Sequence, residues 1–172
     1  MPIVNNVTRL LDSKKIPYNA FELPADKLGA DETAKILGVD PELVYKTIVV
    51  TREKGKPILA VIPGSQRVEL KLLAAALGEK KVFLPTEREA EKLTGLQAGG
   101  ISPLALMNKG FQVVIAADAQ CMHEIHVSGG QRGLNIRLPV DALVKLTRAR
   151  FALISTGDSE NSLGIPVAIC RF

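Results

Sequence analysis

Two aliphatic runs, Lys46-Thr47-Ile48-Val49-Val50 and Ile58-Leu59-Ala60-Val61-Ile62, stand on either side of Gly55-Lys56-Pro57. β-Branched residues favour strands, and a glycine–proline break between two such runs predicts a hairpin. The first strand is so apolar that at least one of its faces must be buried. Alternation groups Lys46 with Ile48 and Val50. Its ammonium is therefore expected at a cavity or its rim, unless it snorkels from the strand end to solvent.

The rest of the chain supplies cover for that hairpin. Val4, Val7, Leu10 and Leu11 fall at helical spacing and predict an amphipathic helix over 3–14, closed before Pro17. A short strand is expected over 18–23. Asp31 is read as the cap of a helix ended by Gly38, and Asp40-Pro41-Glu42 as a single helical turn. Helices follow over 69–77, stopped by Gly78, and from Thr86 to near Gly95, with a strand over 81–84 between them. Strands are predicted over 112–116, 124–127, 134–138 and 150–154, and a helix from Pro139 to about Leu146. The strands come mostly in adjacent pairs with helices inserted, so the fold class is α+β rather than a doubly wound parallel sheet. Residues 1–156 are expected to form one domain. Residues 157–172 open with loop chemistry, Gly157-Asp158-Ser159-Glu160-Asn161-Ser162, and are read as a C-terminal tail with no assigned role.

Composition narrows the function classes. At 172 residues, 47% hydrophobic and 23% charged, the chain is globular and long enough for a real core. The net charge of +4 is spread evenly, with no basic tail or acidic arm, so nucleic-acid binding has to come from folded surface. No apolar stretch approaches the roughly 18 to 20 residues of a membrane span, and Met1-Pro2-Ile3-Val4-Asn5 lacks the character of a signal peptide. The two cysteines, Cys121 and Cys170, offer no disulfide framework, which points to a reducing cytoplasm.

Several catalytic patterns fail. In Cys121-Met122-His123-Glu124-Ile125-His126, alternation turns His126 away from Cys121 and His123, so the cluster is not expected to hold a metal. Gly95 and Gly100 have the spacing that begins a phosphate-binding loop, but Ile101 stands where the lysine is needed. No serine carries a nucleophile-elbow signature. Neither a cofactor nor a self-sufficient nucleophile is expected.

Three features remain. Lys46 is a fixed positive charge suited to a carbonyl, carboxylate or phosphate. Gly99-Gly100-Ile101-Ser102-Pro103 lets backbone approach a ligand closely, and its free N–H groups could form a nest; a surface turn is the plainer reading. Ser128-Gly129-Gly130-Gln131-Arg132-Gly133 reads on pattern alone as a long hairpin turn.

Taken in order, Val44-Tyr45-Lys46-Thr47-Ile48-Val49-Val50, Gly99-Gly100-Ile101-Ser102-Pro103-Leu104 and His126-Val127-Ser128-Gly129-Gly130-Gln131-Arg132-Gly133-Leu134 resemble the YbaK-type aminoacyl-tRNA deacylases. These are similar to the editing domain inserted in bacterial prolyl-tRNA synthetases, and the likeness runs over about residues 3–155. The resemblance implies a single α+β domain with a curved, mostly antiparallel central sheet flanked by helices. It implies hydrolysis of the ester of a misacylated tRNA, typically Cys on the proline tRNA, in the cytoplasm. The implied partners are the mischarged acceptor end and a prolyl-tRNA synthetase, with no membrane, metal or cofactor.

By the same resemblance, Lys46 holds the substrate backbone or phosphate, and Gly99 and Gly100 position the scissile carbonyl. Ile101, Ser102, Pro103, Ser128, Gly129 and Gly130 then belong to the substrate pocket, and a ribose hydroxyl or the cysteine thiol of the substrate supplies the attack. Asn135 joins the pocket at a position where family members tend to carry an acidic residue. Leu23 and Ala105 also depart from the family pattern, which bears on amino-acid specificity. The alternatives are a deacylase for another small amino acid, or a non-catalytic relative that binds an aminoacyl or nucleotide ligand or docks on a synthetase.

Overall fold

The computed structural model describes residues 3–157, so the expected tail lies, from Asp158 onward, outside the described residues. In chain order the elements are α1 (Asn6–Ser13), β1 (Asn19–Glu22), α2 (Ala30–Leu37), β2 (Tyr45–Arg52) and β3 (Ile58–Pro63). Then come β4 (Gln66–Val68), α3 (Leu70–Leu77), β5 (Val82–Phe83), α4 (Glu87–Thr94) and β6 (Gln112–Ala116). The last are β7 (Glu124–Ser128), β8 (Leu134–Pro139), α5 (Val140–Thr147), β9 (Arg150–Ala152) and β10 (Ser155–Gly157).

The predicted hairpin is the centre of the molecule. β2 and β3 pair antiparallel, from Tyr45 opposite Pro63 to Val50 opposite Ile58. Every residue of β3 is buried, as befits the middle of the sheet β5-β2-β3-β6-β9. β6 joins β3 and β9 joins β6 in parallel. Each of those partners is reached by a crossover through helices, which returns the chain in the same direction. The other two sheets, β1-β8-β7 and β4-β10, are antiparallel throughout, so antiparallel pairing predominates in the α+β domain. The large side chains sealed in the core are Ile and Leu, among them Leu11, Ile62, Leu73, Ile115, Ile136 and Leu143. A chain without Trp has no other large filler in quantity.

Local chemistry sets most boundaries. Thr86 Oγ accepts from the Glu89 N–H at 3.2 Å and starts α4, while Gly38, Gly78 and Gly95 end their helices in the left-handed conformation. Asp31 is not the cap of α2. The helix starts at Ala30 with Gly29 as its cap, and Asp31 sits in the first turn, where its charge favours the helix N-terminus. The strand expected over 150–154 is shorter, β9 ending at Ala152, and a further strand, β10, follows it to pair with β4. β4 escaped notice because Gln66-Arg67-Val68 holds one β-branched residue and shows no apolar alternation.

Two junctions tie these layers together. The Val44 carbonyl accepts the Gly64 N–H at 2.8 Å, and Val44 also pairs in parallel with His126, joining the first sheet to the second. Asn5, the cap of α1, donates through Nδ2 to the Gly129 carbonyl at 3.0 Å and so fastens that helix to the 128–133 loop. Gly64 is irreplaceable at its position for steric reasons. A Cβ there would stand 2.0 Å from the Ala30 Cβ and 3.0 Å from the Val44 oxygen. Gly64→Ala is therefore expected to destabilise the fold by about 1–3 kcal/mol through overpacking. Adding Ala30→Gly should recover part of that loss in urea denaturation; simple addition of the two costs would contradict the assigned clash.

Candidate active site

Lys46 reaches a cavity of about 390 Å³ framed by the start of β2, the entry to α2, the start of α4, the 98–101 segment and the β7–β8 loop. The three sequence segments, far apart along the chain, meet here. Five of the ten expected site residues line the cavity: Lys46, Gly99, Ile101, Ser128 and Asn135. Val44 bridges His126 in parallel, and Lys46 and Ser128, each two residues further on, both line the cavity. Lys46 is half-buried, and its Nζ donates to the Gly64 carbonyl at 3.1 Å. The bond fixes the direction of the ammonium, because Gly64 is itself held by Val44.

The other five residues stand behind the wall and hold the loops that carry it. Gly100 is buried, and a Cβ on it would lie 2.9 Å from Gln131 Cα, so only glycine lets the two loops touch. Arg132 Nε reinforces this contact by donating to the Ala98 carbonyl at 2.6 Å. Ser102 is fully buried, with its Oγ accepting the Leu104 N–H at 3.2 Å, and Pro103 is buried beside it. A Cβ on Gly129 would meet the Leu134 side chain at 2.5 Å, and Gly130, at φ +93°, packs against Val7 and Ala105.

The amides of the 98–101 segment divide into occupied and available. The Ala98 N–H is taken by Glu91 Oε2 at 2.9 Å, and the Gly100 N–H by the Gln97 carbonyl at 2.8 Å. The N–H groups of Gly99 and Ile101 have no acceptor among the described residues, and both residues line the cavity. Gly99 adopts φ +89°, a conformation that favours glycine. Two such donors in one cavity with a cation can bind and polarise an acyl oxygen.

Two of the cavity's hydroxyls take part in local hydrogen bonds. Thr33 Oγ donates to the Gly29 carbonyl at 2.9 Å, and Ser128 Oγ accepts the Gly130 N–H at 3.3 Å. Tyr45 is 3% exposed and its hydroxyl has no partner. Burial, with Asp118 and Glu42 adding to it, raises its pKa well above the ordinary phenol range and keeps it protonated. The one buried histidine, His126, bonds through Nδ1 to Asn135 Oδ1 at 2.9 Å. At the mouth, Lys27 and Glu87 pair at 2.5 Å, but both are half exposed, so the bridge contributes little stability.

No group of three or more His, Cys, Asp and Glu side chains is arranged for a metal among the described residues. Cys121 is engaged rather than free, which differs from the unpaired thiol expected; Cys170 lies outside the described residues. Gly64, Lys27 and Glu87 were missed by sequence reasoning. Only Gly64 carried a signal, as the glycine closing an apolar strand next to Pro63.

A model of the aminoacyl-tRNA editing domain matches residues 25–146. A candidate Cys-tRNA(Pro)/Cys-tRNA(Cys) deacylase of Enterococcus faecalis, EbsC, is 39% identical over 153 residues, covering 88% of this chain and 93% of that protein. The proline–tRNA ligase of Thermodesulfovibrio yellowstonii is 27% identical over 128 residues; the match takes in 74% of this chain and 21% of that larger enzyme. A solved structure described as a candidate trans-editing enzyme for prolyl tRNA synthetase superposes with TM-score 0.76 at 25% identity, over 90% of this chain and 100% of that one. The hypothetical protein APE2540 shares the fold with TM-score 0.81 at 24% identity, over 88% and 100% of the two chains.

His126 gives the site a pH signature. Burial lowers its pKa and outweighs the hydrogen bond to Asn135; Arg137 also lowers it and Glu124 raises it. The unfolded chain therefore takes up this proton first as pH falls, near the ordinary value of about 6.5. The associated stability is full above that value and is lost as pH falls toward the lower native pKa. Urea unfolding between pH 7.5 and 5 should show a decline that His126→Gln flattens; an unchanged slope in the variant would refute the assignment.

Proposed function

The chain belongs to the aminoacyl-tRNA editing domain family, and from that membership we infer that it is a trans-editing hydrolase of misacylated tRNA. Cys-tRNA(Pro) is the substrate best supported by the similarity to EbsC and to prolyl-tRNA ligases. The observation that carries the reading is the cavity in which Lys46 meets the unpartnered Gly99 and Ile101 amides.

The chemistry asked of such a site is modest. An aminoacyl ester is already activated, so positioning and stabilisation of the developing oxyanion can drive its cleavage. In this proposal the Gly99 and Ile101 N–H groups receive the scissile carbonyl oxygen. Lys46 holds the adjoining backbone or phosphate, and Gly100, Ser102, Pro103, Gly129 and Gly130 keep the two loops in register. Ser128 and Asn135 border the acyl group. The attack comes from the substrate, through a ribose hydroxyl or the cysteine thiol, which suits a cavity lined by no histidine or cysteine among the described residues. No metal or cofactor enters the scheme.

Residues 1–156 are assigned as the editing domain, with 157–172 appended to it. A cytoplasmic location follows from the substrate, and no helix among the described residues is long and apolar enough to cross a membrane. With an even charge of +4, the protein is expected to hold tRNA weakly and with strong salt dependence. A prolyl-tRNA synthetase that already holds the tRNA would supply the missing effective concentration.

A panel of mischarged tRNAs tests the reading. Cys-tRNA(Pro) should lose its amino acid far faster than in buffer, and Lys46→Ala should lower kcat/KM by about a hundredfold or more. If every mischarged tRNA decays at its spontaneous rate, the protein is not a deacylase. If another small amino acid is released preferentially, the hydrolase stands and the substrate assignment falls.

A further inference from the structure

The face of the second sheet that borders the cavity is polar in an ordered way. Pairing puts Asn135 between Phe21 of β1 and Ser128 of β7, and Arg137 between Asn19 and His126. Directly paired residues share a face of a sheet, so all six belong to one side, while Ile125, Val127, Ile136 and Leu138 go into the core. Contacts run along this side. Arg137 lies over the Phe21 ring at 5.6 Å, that ring is 5.5 Å from His126, and His126 bonds to Asn135.

The sense of the last bond follows from the placement of the Asn135 oxygen toward the ring. The oxygen of a carboxamide only accepts, so the contact from Nδ1 to Asn135 Oδ1 requires the proton on Nδ1. Burial keeps the ring neutral, so Nδ1 carries its single proton. The charged groups around the ring, Arg137 on β8 and Glu124 on β7, are themselves paired at 3.4 Å. With its oxygen committed, Asn135 has the amide Nδ2 left to offer. That nitrogen has no acceptor among the described residues, and it is not one of the sealed, unpartnered atoms. Asn135 itself lines the cavity.

We propose that Asn135 is a specificity-determining residue that presents a hydrogen-bond donor to the ligand, and that His126 is the positioning residue that holds it in this sense. The part of an aminoacyl ester accommodated there is a neutral acceptor and not the α-ammonium group. The carboxylates on the cavity wall agree with this. Glu87 is paired with Lys27, and Asp26 is exposed. The identity of the ligand rests on the aminoacyl-tRNA reading above; the orientation of the carboxamide does not.

Two measurements test the proposal, and neither uses turnover. In the first, nitrogen-15 NMR of the wild-type protein near neutral pH should show His126 as the neutral tautomer protonated on Nδ1. The Nε2-protonated tautomer would overturn the proposal. In the second, non-hydrolysable 3′-amide analogues of aminoacyl- and α-hydroxyacyl-adenosine are titrated in. They differ in an ammonium against a hydroxyl of similar size. Wild type should bind the two within about threefold of each other. Asn135→Asp retains the acceptor for His126 and replaces the donor by an anion, and it should favour the amino analogue by about tenfold or more. A tenfold amino preference in the wild type, an unchanged ratio in the variant, or no binding of either analogue to the wild type would each refute the proposal. A protein that binds as expected but releases no amino acid from any tRNA would refute the deacylase reading alone.

Discussion

The Val44 backbone makes two connections on which the site depends. Its carbonyl takes the Gly64 N–H, closing the end of the central hairpin, and its pairing with His126 joins the five-stranded sheet to the three-stranded one. The cavity lies along that seam. Gly64 passes the constraint on, because its own carbonyl receives Lys46 Nζ and its missing side chain admits the first residue of α2. The direction of the cation, the approach of α2 and the joining of the β7 strand to the site are thus consequences of one short stretch of backbone.

A second lock acts on the opposite wall. Gly100 against Gln131, Arg132 on the Ala98 carbonyl and Asn5 on the Gly129 carbonyl hold the 98–103 and 128–133 loops against each other and against α1. Glycines that look like ligand contacts in the sequence have mainly this packing role, and they leave the neighbouring Gly99 and Ile101 amides available. The division of labour suits a reaction whose substrate is already activated. A rigid wall of donors and one cation have to be kept in place without an acid–base pair.

Much of this was legible in the sequence. The hairpin followed from two aliphatic runs and a glycine–proline break, the ends of α2, α3 and α4 from glycine, and the start of α4 from threonine. Alternation left Lys46 either at a cavity or snorkelling to solvent, and it was the family resemblance that favoured the cavity. Other features were hidden because they arise from pairing between distant segments. Nothing local in Gln66-Arg67-Val68 marks a strand, since its partner is some 90 residues away in β10. The contact of His126 with Asn135 depends on the register of β7 with β8, which residue types do not specify. Loop glycines show where backbone comes close, but only three-dimensional packing separates Gly99, which borders the cavity, from Gly100, which is pressed against Gln131.

A crystal structure with a non-hydrolysable 3′-amide analogue of cysteinyl-adenosine would test the central claim most directly. The acyl oxygen is expected about 2.7–3.1 Å from the Gly99 and Ile101 nitrogens, with Lys46 Nζ in contact with the ligand. An analogue seated in this cavity with its acyl oxygen turned away from both amides, or bound elsewhere on the protein, would contradict the account.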